Sequence, residues 1–212
     1  MNSEDFSLVL AVCPALEIVE VLVSRNNIPT VRISSYTICS TVLWKSVAKE
    51  VVILDTPCLN RLVLWQNLLL PHSRYTSKVT ISRATKMRIF GYLDAGINTL
   101  VINETTVKAN TKTSFKTLIP SVKILGLSVH FGVRKEALMA ISFLRCFPEV
   151  EALHITSKMD QTSEAEQFSF WEKVDPVECV TSNLKKLVFH GVPWCPGNLE
   201  FLKFIVEGAY FL

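Results

Sequence analysis

The stretch Pro148-Glu149-Val150-Glu151-Ala152-Leu153-His154-Ile155 sets the reading of the rest of the chain. It places apolar residues at Val150, Leu153 and Ile155, separated by two free positions and then by one. The same template returns at Leu16/Val19/Val21, Leu59/Leu62/Leu64, Met87/Phe90/Tyr92, Val122/Leu125/Leu127 and Leu184/Leu187/Phe189. A short strand that keeps returning predicts stacked repeats, each burying its apolar edge against its neighbours. Pro14, Pro57, Pro120 and Pro148 each stand two residues before the first apolar position of their repeat. Proline just ahead of a strand is tolerated because its missing N–H falls outside the ladder. This regular punctuation supports the repeat independently of the apolar pattern.

Between these strands run Ile28/Val31/Ile33, Val51/Ile53, Val79/Ile81 and Ile97/Leu100/Ile102, β-branched and alternating, which predicts strands on the return side of each repeat. The wide gap after Leu16 leaves room for a degenerate turn near Tyr36–Leu43. Helical spacing enters in the second half. Leu138, Ile141 and Leu144 predict an amphipathic helix over Arg134–Phe147. Ser163-Glu164-Ala165-Glu166 has capping-box spacing ahead of Phe168 and Trp171, and Asp175-Pro176 ends that segment. After Pro196-Gly197, Asn198 is the expected N-cap of a last helix that buries Leu199, Leu202, Ile205/Val206 and Ala209.

Apolar residues make up 49% of the 212 and charged residues 19%, which argues against intrinsic disorder. Mean hydropathy is +0.32, yet no window approaches the roughly 20 uninterrupted apolar residues of a spanning helix. No membrane role is expected. Met1–Asp5 is acidic and lacks the features of a secretory signal, so a cytoplasmic or nuclear location is expected. The six cysteines, with no Cys-x-x-Cys pair, are then expected to be reduced core thiols. The Asn103-Glu104-Thr105 sequon would be silent in that location. A net charge of +3 is too small to point to nucleic acid.

Catalytic patterns are not found. There is no Gly-x-Ser-x-Gly elbow, no phosphate-cradling glycine loop and no His-Glu-x-x-His. His154 and His190 fall at the same edge of successive repeat strands, but a metal would need further ligands from Cys179 or Cys195. No cofactor is expected, and an α/β hydrolase or metal enzyme is a remote reading.

Strand alternation is more informative. With the template residues inward, the outward positions include Arg61, Val63 and Trp65; Ile89 and Leu93; Ile124; His154 and Thr156; Lys186 and His190. These form a candidate partner-binding concave face, more apolar than a solvated sheet. A covering loop, an N-terminal domain or a partner chain would account for it equally well. Trp65 is the best single anchor, the alternative being a rim tryptophan packed on a neighbouring strand. Lys185, Lys186 and Arg61 could favour an acidic partner or serve as a solvated edge.

The chain resembles plant F-box/leucine-rich-repeat proteins that end in an FBD domain. The residues that carry the resemblance are Leu54–Trp65, Phe143–Ile155, and Leu184–Phe189 leading to Leu199–Ile205, with Trp171, Pro176 and Cys179 in FBD-like positions. The resemblance implies an α/β leucine-rich-repeat solenoid, an irregular strand-rich horseshoe, over residues 1–146. An αβ FBD-like cap would follow over 147–212, ending before the closing strand usual in such domains. It implies a non-enzymatic module that binds a protein target, like the substrate-recruiting part of a ubiquitin-ligase receptor. The F-box itself has no counterpart before Cys13, so direct binding to the ligase adaptor is not expected. A stand-alone binding protein or F-box-less paralogue is the alternative.

Overall fold

The computed structural model describes residues 3–22, 30–44, 48–65, 76–109, 114–158, 168–190 and 196–209. Each proline-led lead-in closes a four-residue turn. The amide of Leu16 donates to Cys13 O, that of Leu59 to Thr56 O, that of Val122 to Ile119 O and that of Val150 to Phe147 O. Proline is therefore the second residue of each turn, where its fixed φ is already suitable. It shapes a corner, a stronger role than merely avoiding the ladder. Leu59, Val122 and Val150, which close the corners, are fully buried.

These four corners lead into β1 (Ile18–Leu22), β5 (Arg61–Trp65), β10 (Ile124–Val129) and β11 (Ala152–Ser157), and β3 (Ser40–Trp44), β7 (Ile89–Asp94) and β12 (Lys186–His190) join them without a proline lead-in. They form one parallel sheet in the order β1-β3-β5-β7-β10-β11-β12. The return segments make a second sheet of β2 (Thr30–Ile33), β4 (Glu50–Leu54), β6 (Ser77–Ser82), β8 (Asn98–Ile102) and β9 (Thr105–Thr106), parallel except for the β8–β9 pair. The chain is thus an α/β fold built on strand-rich parallel sheets. The additional turn of the stack expected near Tyr36–Leu43 carries a full strand, Ser40–Trp44, between β1 and β5, with Thr41 and Leu43 turned inward and fully buried.

Inward residues of both sheets join one apolar cluster, with Ile33, Ile53, Val79 and Leu100 from one and Leu43, Leu62, Phe90, Leu125 and Leu153 from the other. Among the described residues four α-helices complete the fold: α1 (Ser3–Val12), α2 (Arg134–Arg145), α3 (Glu178–Ser182) and α4 (Pro196–Gly208). Helix α2 falls within the expected Arg134–Phe147 and buries Ala137, Ala140, Ile141 and Leu144. Neither α1 nor α3 is expected from the sequence. Ser163-Glu164-Ala165-Glu166, His72 and Cys195 lie outside the described residues.

The C-terminal end is closed by aromatic side chains. Phe131 stacks on Phe201 at 4.3 Å between centroids, and Trp171 packs 5.8 Å from Phe201 and 5.3 Å from Phe204. This packing corrects the expected face of the last helix. Phe201 and Ile205 are the fully buried pair, whereas Leu199 and Val206 are exposed. Asn198 lies inside α4 instead of capping it, and its Oδ1 accepts from the buried Ser157 hydroxyl at 2.9 Å. Gly197 permits the approach, since a Cβ there would come 2.7 Å from Phe131 O.

A polar network ties β7, α2 and the end of β11 together. Asp94, almost fully buried, accepts from the Gly96 and Ile97 amides and from Lys158 Nζ, which also donates to Glu136 at 3.2 Å. Burial raises the Asp94 pKa, and Lys158 opposes that shift. A carboxyl whose folded pKa is raised favours the fold fully below its unfolded pKa and loses that contribution as pH rises through the folded value.

Two variants test this packing by chemical denaturation. Phe201→Ala is expected to lower stability by about 3–5 kcal/mol. Lys158→Met leaves two carboxylates without their cation and is expected to cost about 2 kcal/mol at neutral pH, below the full penalty of a buried pair because Lys158 is partly exposed. That deficit should shrink as pH falls into the carboxylate range. A deficit independent of pH would show that the lysine acts only through packing.

Candidate functional site

One face of the seven-stranded sheet carries nearly all the outward positions. The registers align Arg61 with Ile89, Ile124, Ala152 and Lys186, and align Val42 with Val63 and Gly91. Toward the strand ends Leu22 aligns with Trp44 and Trp65.

The alternation breaks once. Phe90 pairs with Leu125 and Leu93 with Leu127, so Gly91 and Tyr92 together oppose the single residue Gly126. Such a bulge resets the side-chain parity of the strand beyond it. Leu93, expected on the outward face, is fully buried in the core, and that expectation is corrected. Tyr92, expected inward, turns onto the open face.

Tyr92 meets Trp65 edge to face with centroids 4.9 Å apart, and Trp65 lies 5.7 Å from Trp44. Trp65 therefore packs on neighbouring strands and still leaves 37% of its surface exposed, close to the 39% of Trp44. The two glycines open the space beside this aromatic wall. A Cβ on Gly91 would come 3.0 Å from Gly126 Cα, and a Cβ on Gly126 would come 3.0 Å from Tyr92 Cδ1.

The result is a groove of about 350 Å³. Val42, Val63, Gly91 and Gly126 form its floor, Trp44, Trp65 and Tyr92 one wall, Arg61, Ile89 and Ile124 the other, and His154 one end. Val63 is only 9% exposed, so it is floor and not a projecting contact. Of the sequence-predicted residues, Arg61, Val63, Trp65, Ile89, Ile124 and His154 meet here. Thr156, Lys186 and His190 lie farther along the same face on β11 and β12, where Thr156 is half-buried and the other two are exposed. Val42, Trp44 and Tyr92 are additions that strand alternation alone does not supply. Val42-Leu43-Trp44 repeats Val63-Leu64-Trp65, a signal that locates the first two.

His154 and His190 stand 6.0 Å apart between ring centroids. Partial burial lowers the His154 pKa, and the charges of His190 and Lys186 add to the effect. A metal set does not form from them: among the described residues no three His, Cys, Asp or Glu side chains converge. Cys179 is buried away from both, its thiol facing Leu144 O at 3.8 Å. Burial pushes the Cys179 and Cys146 thiols up to about 12, so both are weak nucleophiles at neutral pH. The expectation of core thiols holds for these two, whereas Cys13 is exposed and Cys39 and Cys58 are half-buried. What the face offers is shape, aromatic surface and positive charge.

Comparison with known families assigns most of the chain. Residues 1–155 match the family described as FBD-associated F-box protein At5g56370, LRR repeats, and residues 172–212 match the FBD family. No curated protein and no solved structure matches the chain. Among the described residues no helix is long and apolar enough to cross a membrane. Leucine-rich-repeat and FBD families are generally interaction modules without enzymatic activity, and they suggest protein partners. By the extent of the first match, the chain belongs to the leucine-rich-repeat family of FBD-associated F-box proteins and carries an FBD region at its C-terminal end.

Proposed function

We propose that this chain binds a protein target on the open face of its seven-stranded sheet, as the substrate-recognition part of an F-box ubiquitin-ligase receptor would. The alternation of the two parallel sheets is, in this reading, a leucine-rich-repeat solenoid over residues 1–146, closed by an FBD-like cap over 147–212. Its work is noncovalent and is done in the cytoplasm or nucleus. The observation that carries the reading is the glycine-floored groove beside Trp44, Trp65 and Tyr92. An aromatic wall beside a depression is the form of an interface hot spot, since large rigid rings supply contact area at small entropic cost. Much of its floor is already dry, so an incoming side chain displaces little bound water from polar groups.

The test is affinity purification of the full chain from its native tissue, read quantitatively for wild type, Trp65→Ala and a control, Lys78→Ala, on the second sheet. A target held by this face should weaken about thirtyfold with Trp65→Ala, the equivalent of about 2 kcal/mol, and be unchanged by the control. Circular dichroism melts establish that both variants fold. Partners lost equally with both variants, or with neither, would contradict binding at this face. Co-purification of a ligase adaptor, stable in the Trp65→Ala variant, is the separate measurement for the receptor role.

A further inference from the structure

The charges on the open face narrow the chemistry of its occupant. Arg61 is the one Arg, Lys, Asp or Glu among the described residues lining the groove. It is exposed, and among the described residues it makes no ion pair. Lys186, at the far side of the face, is also exposed and without an ion pair among those residues. Neighbouring lysines differ. Lys185 pairs with Glu151 at 3.0 Å, Lys123 with Glu149 at 2.9 Å and Glu151 at 3.2 Å, and Lys158 with Asp94 and Glu136. The sheet thus satisfies these nearby lysines and leaves two cations on the open side, with His154 and His190 beside the second. Glu151, one residue before Ala152, is taken up by Lys123 and Lys185, and Glu20, exposed on the open face, aligns with Val42 toward the β1 edge, away from Lys186.

Arg61 and Lys186 stand at the same level of the sheet, with Ile89, Ile124 and Ala152 between them. That is four strand spacings, roughly 19 Å at about 4.8 Å each. An extended chain advances about 3.3 Å per residue, so roughly six residues span the distance. A chain lying across the strands would set apolar side chains over the two isoleucines and reach both cations with its ends.

Resting on the reading that this face binds a protein target, we propose that the occupant is an extended acidic segment with two carboxylates about six residues apart, meeting Arg61 and Lys186. Between them an aromatic or long aliphatic side chain sits over Gly91 and Gly126 against Tyr92. Arg61 pairs with its carboxylate through two parallel N–H donors, a geometry suited to guanidinium. Lys186 acts as a point charge, so its half of the interaction is the more sensitive to salt.

Selection of a random peptide library, displayed on phage, against the full chain tests this directly. The selected pool should be enriched in Asp and Glu at two positions about six apart, with an aromatic or aliphatic residue between. Synthetic peptides from that pool should lose at least about tenfold in affinity with Arg61→Glu and with Lys186→Glu, and weaken as salt rises. Selection of neutral peptides that still require Trp65 would overturn the acidic occupant while leaving the face as the binding site. Peptides indifferent to both Trp65→Ala and Arg61→Glu, or no binders at all, would overturn the binding face itself. A random decamer RNA serves as the competing polyanion: if it binds more tightly than every selected peptide and is abolished by Arg61→Glu, the occupant is nucleic acid and the inference fails.

Discussion

A single carbonyl per repeat, accepting two amides from the next, holds this structure in register. Glu17 O takes the amides of Cys39 and Ser40; Cys39 O takes Asn60 and Arg61; Asn60 O takes Arg88 and Ile89. The pattern continues through Arg88 O, Lys123 O and Glu151 O, each receiving the pair that opens the following strand. Each hydrogen bond has a modest net value, about 1 kcal/mol. Their importance is positional. They pin the start of every strand at one level, so a slip of one residue, which would turn every apolar side chain outward, has to break the joint first. Proline-led turns stand immediately before four of the six joints, at Glu17, Asn60, Lys123 and Glu151, and shape those corners.

Pinned strand ends explain where the irregularity of β7 must fall. Its start is held by Asn60 O, and its end by the Ala95 amide on Ser128 O. Phe90 and Leu93 are both required in the core, against Leu125 and Leu127. An additional residue can then be absorbed only between them, which is where Gly91 and Tyr92 share one partner. Packing there demands small residues, and the space left by Gly91 and Gly126 is the groove. Tyr92 is on the open face for the same reason. The candidate site is therefore a consequence of the ladder accommodating one residue too many.

The same constraint divides what is legible in the sequence from what is not. The apolar template and its prolines are local patterns, so β1, β5, β7, β10, β11 and β12, the return strands β2, β4, β6 and β8, and α2 can be read directly. Parity within a strand can be read as far as the bulge, which is why alternation finds Arg61, Val63, Trp65, Ile89, Ile124 and His154 and misplaces Leu93. Nothing in Ile89-Phe90-Gly91-Tyr92-Leu93 distinguishes an inward Tyr92 from an outward one, because the choice is made by the register of β10, remote in sequence. β3 escapes the template for a different reason. It has no proline lead-in, and its inward residues Thr41 and Leu43 include a hydroxyl that weakens the apolar pattern. The face of α4 also depends on a distant partner: Phe201 is visible in the sequence, but Phe131, on which it stacks, lies far upstream.

The electrostatics follow from the same ladder. The residues that carry the joints, Lys123 and Glu151, bring their side chains level with one another and with Lys185 of the next lead-in, and the three form a chain of ion pairs across successive repeats. Hydrogen bonding to Glu149 and Glu151 raises the Lys123 pKa, and bonding to Lys185 and Lys123 lowers that of Glu151. These groups are exposed and contribute little to stability. Their effect is to pair off the charges at the last two joints, Lys123 and Glu151. One residue later, alternation turns Ile124, Ala152 and Lys186 to the opposite side of the sheet, where the described residues supply no counter-charge for Lys186. Arg61, one residue after the uncharged joint of Asn60, is in the same position. The parity that buries the repeat core thus also separates the paired charges of Lys123, Glu151 and Lys185 from Arg61 and Lys186 on the open face, with Arg61 at the groove and Lys186 farther along the same face.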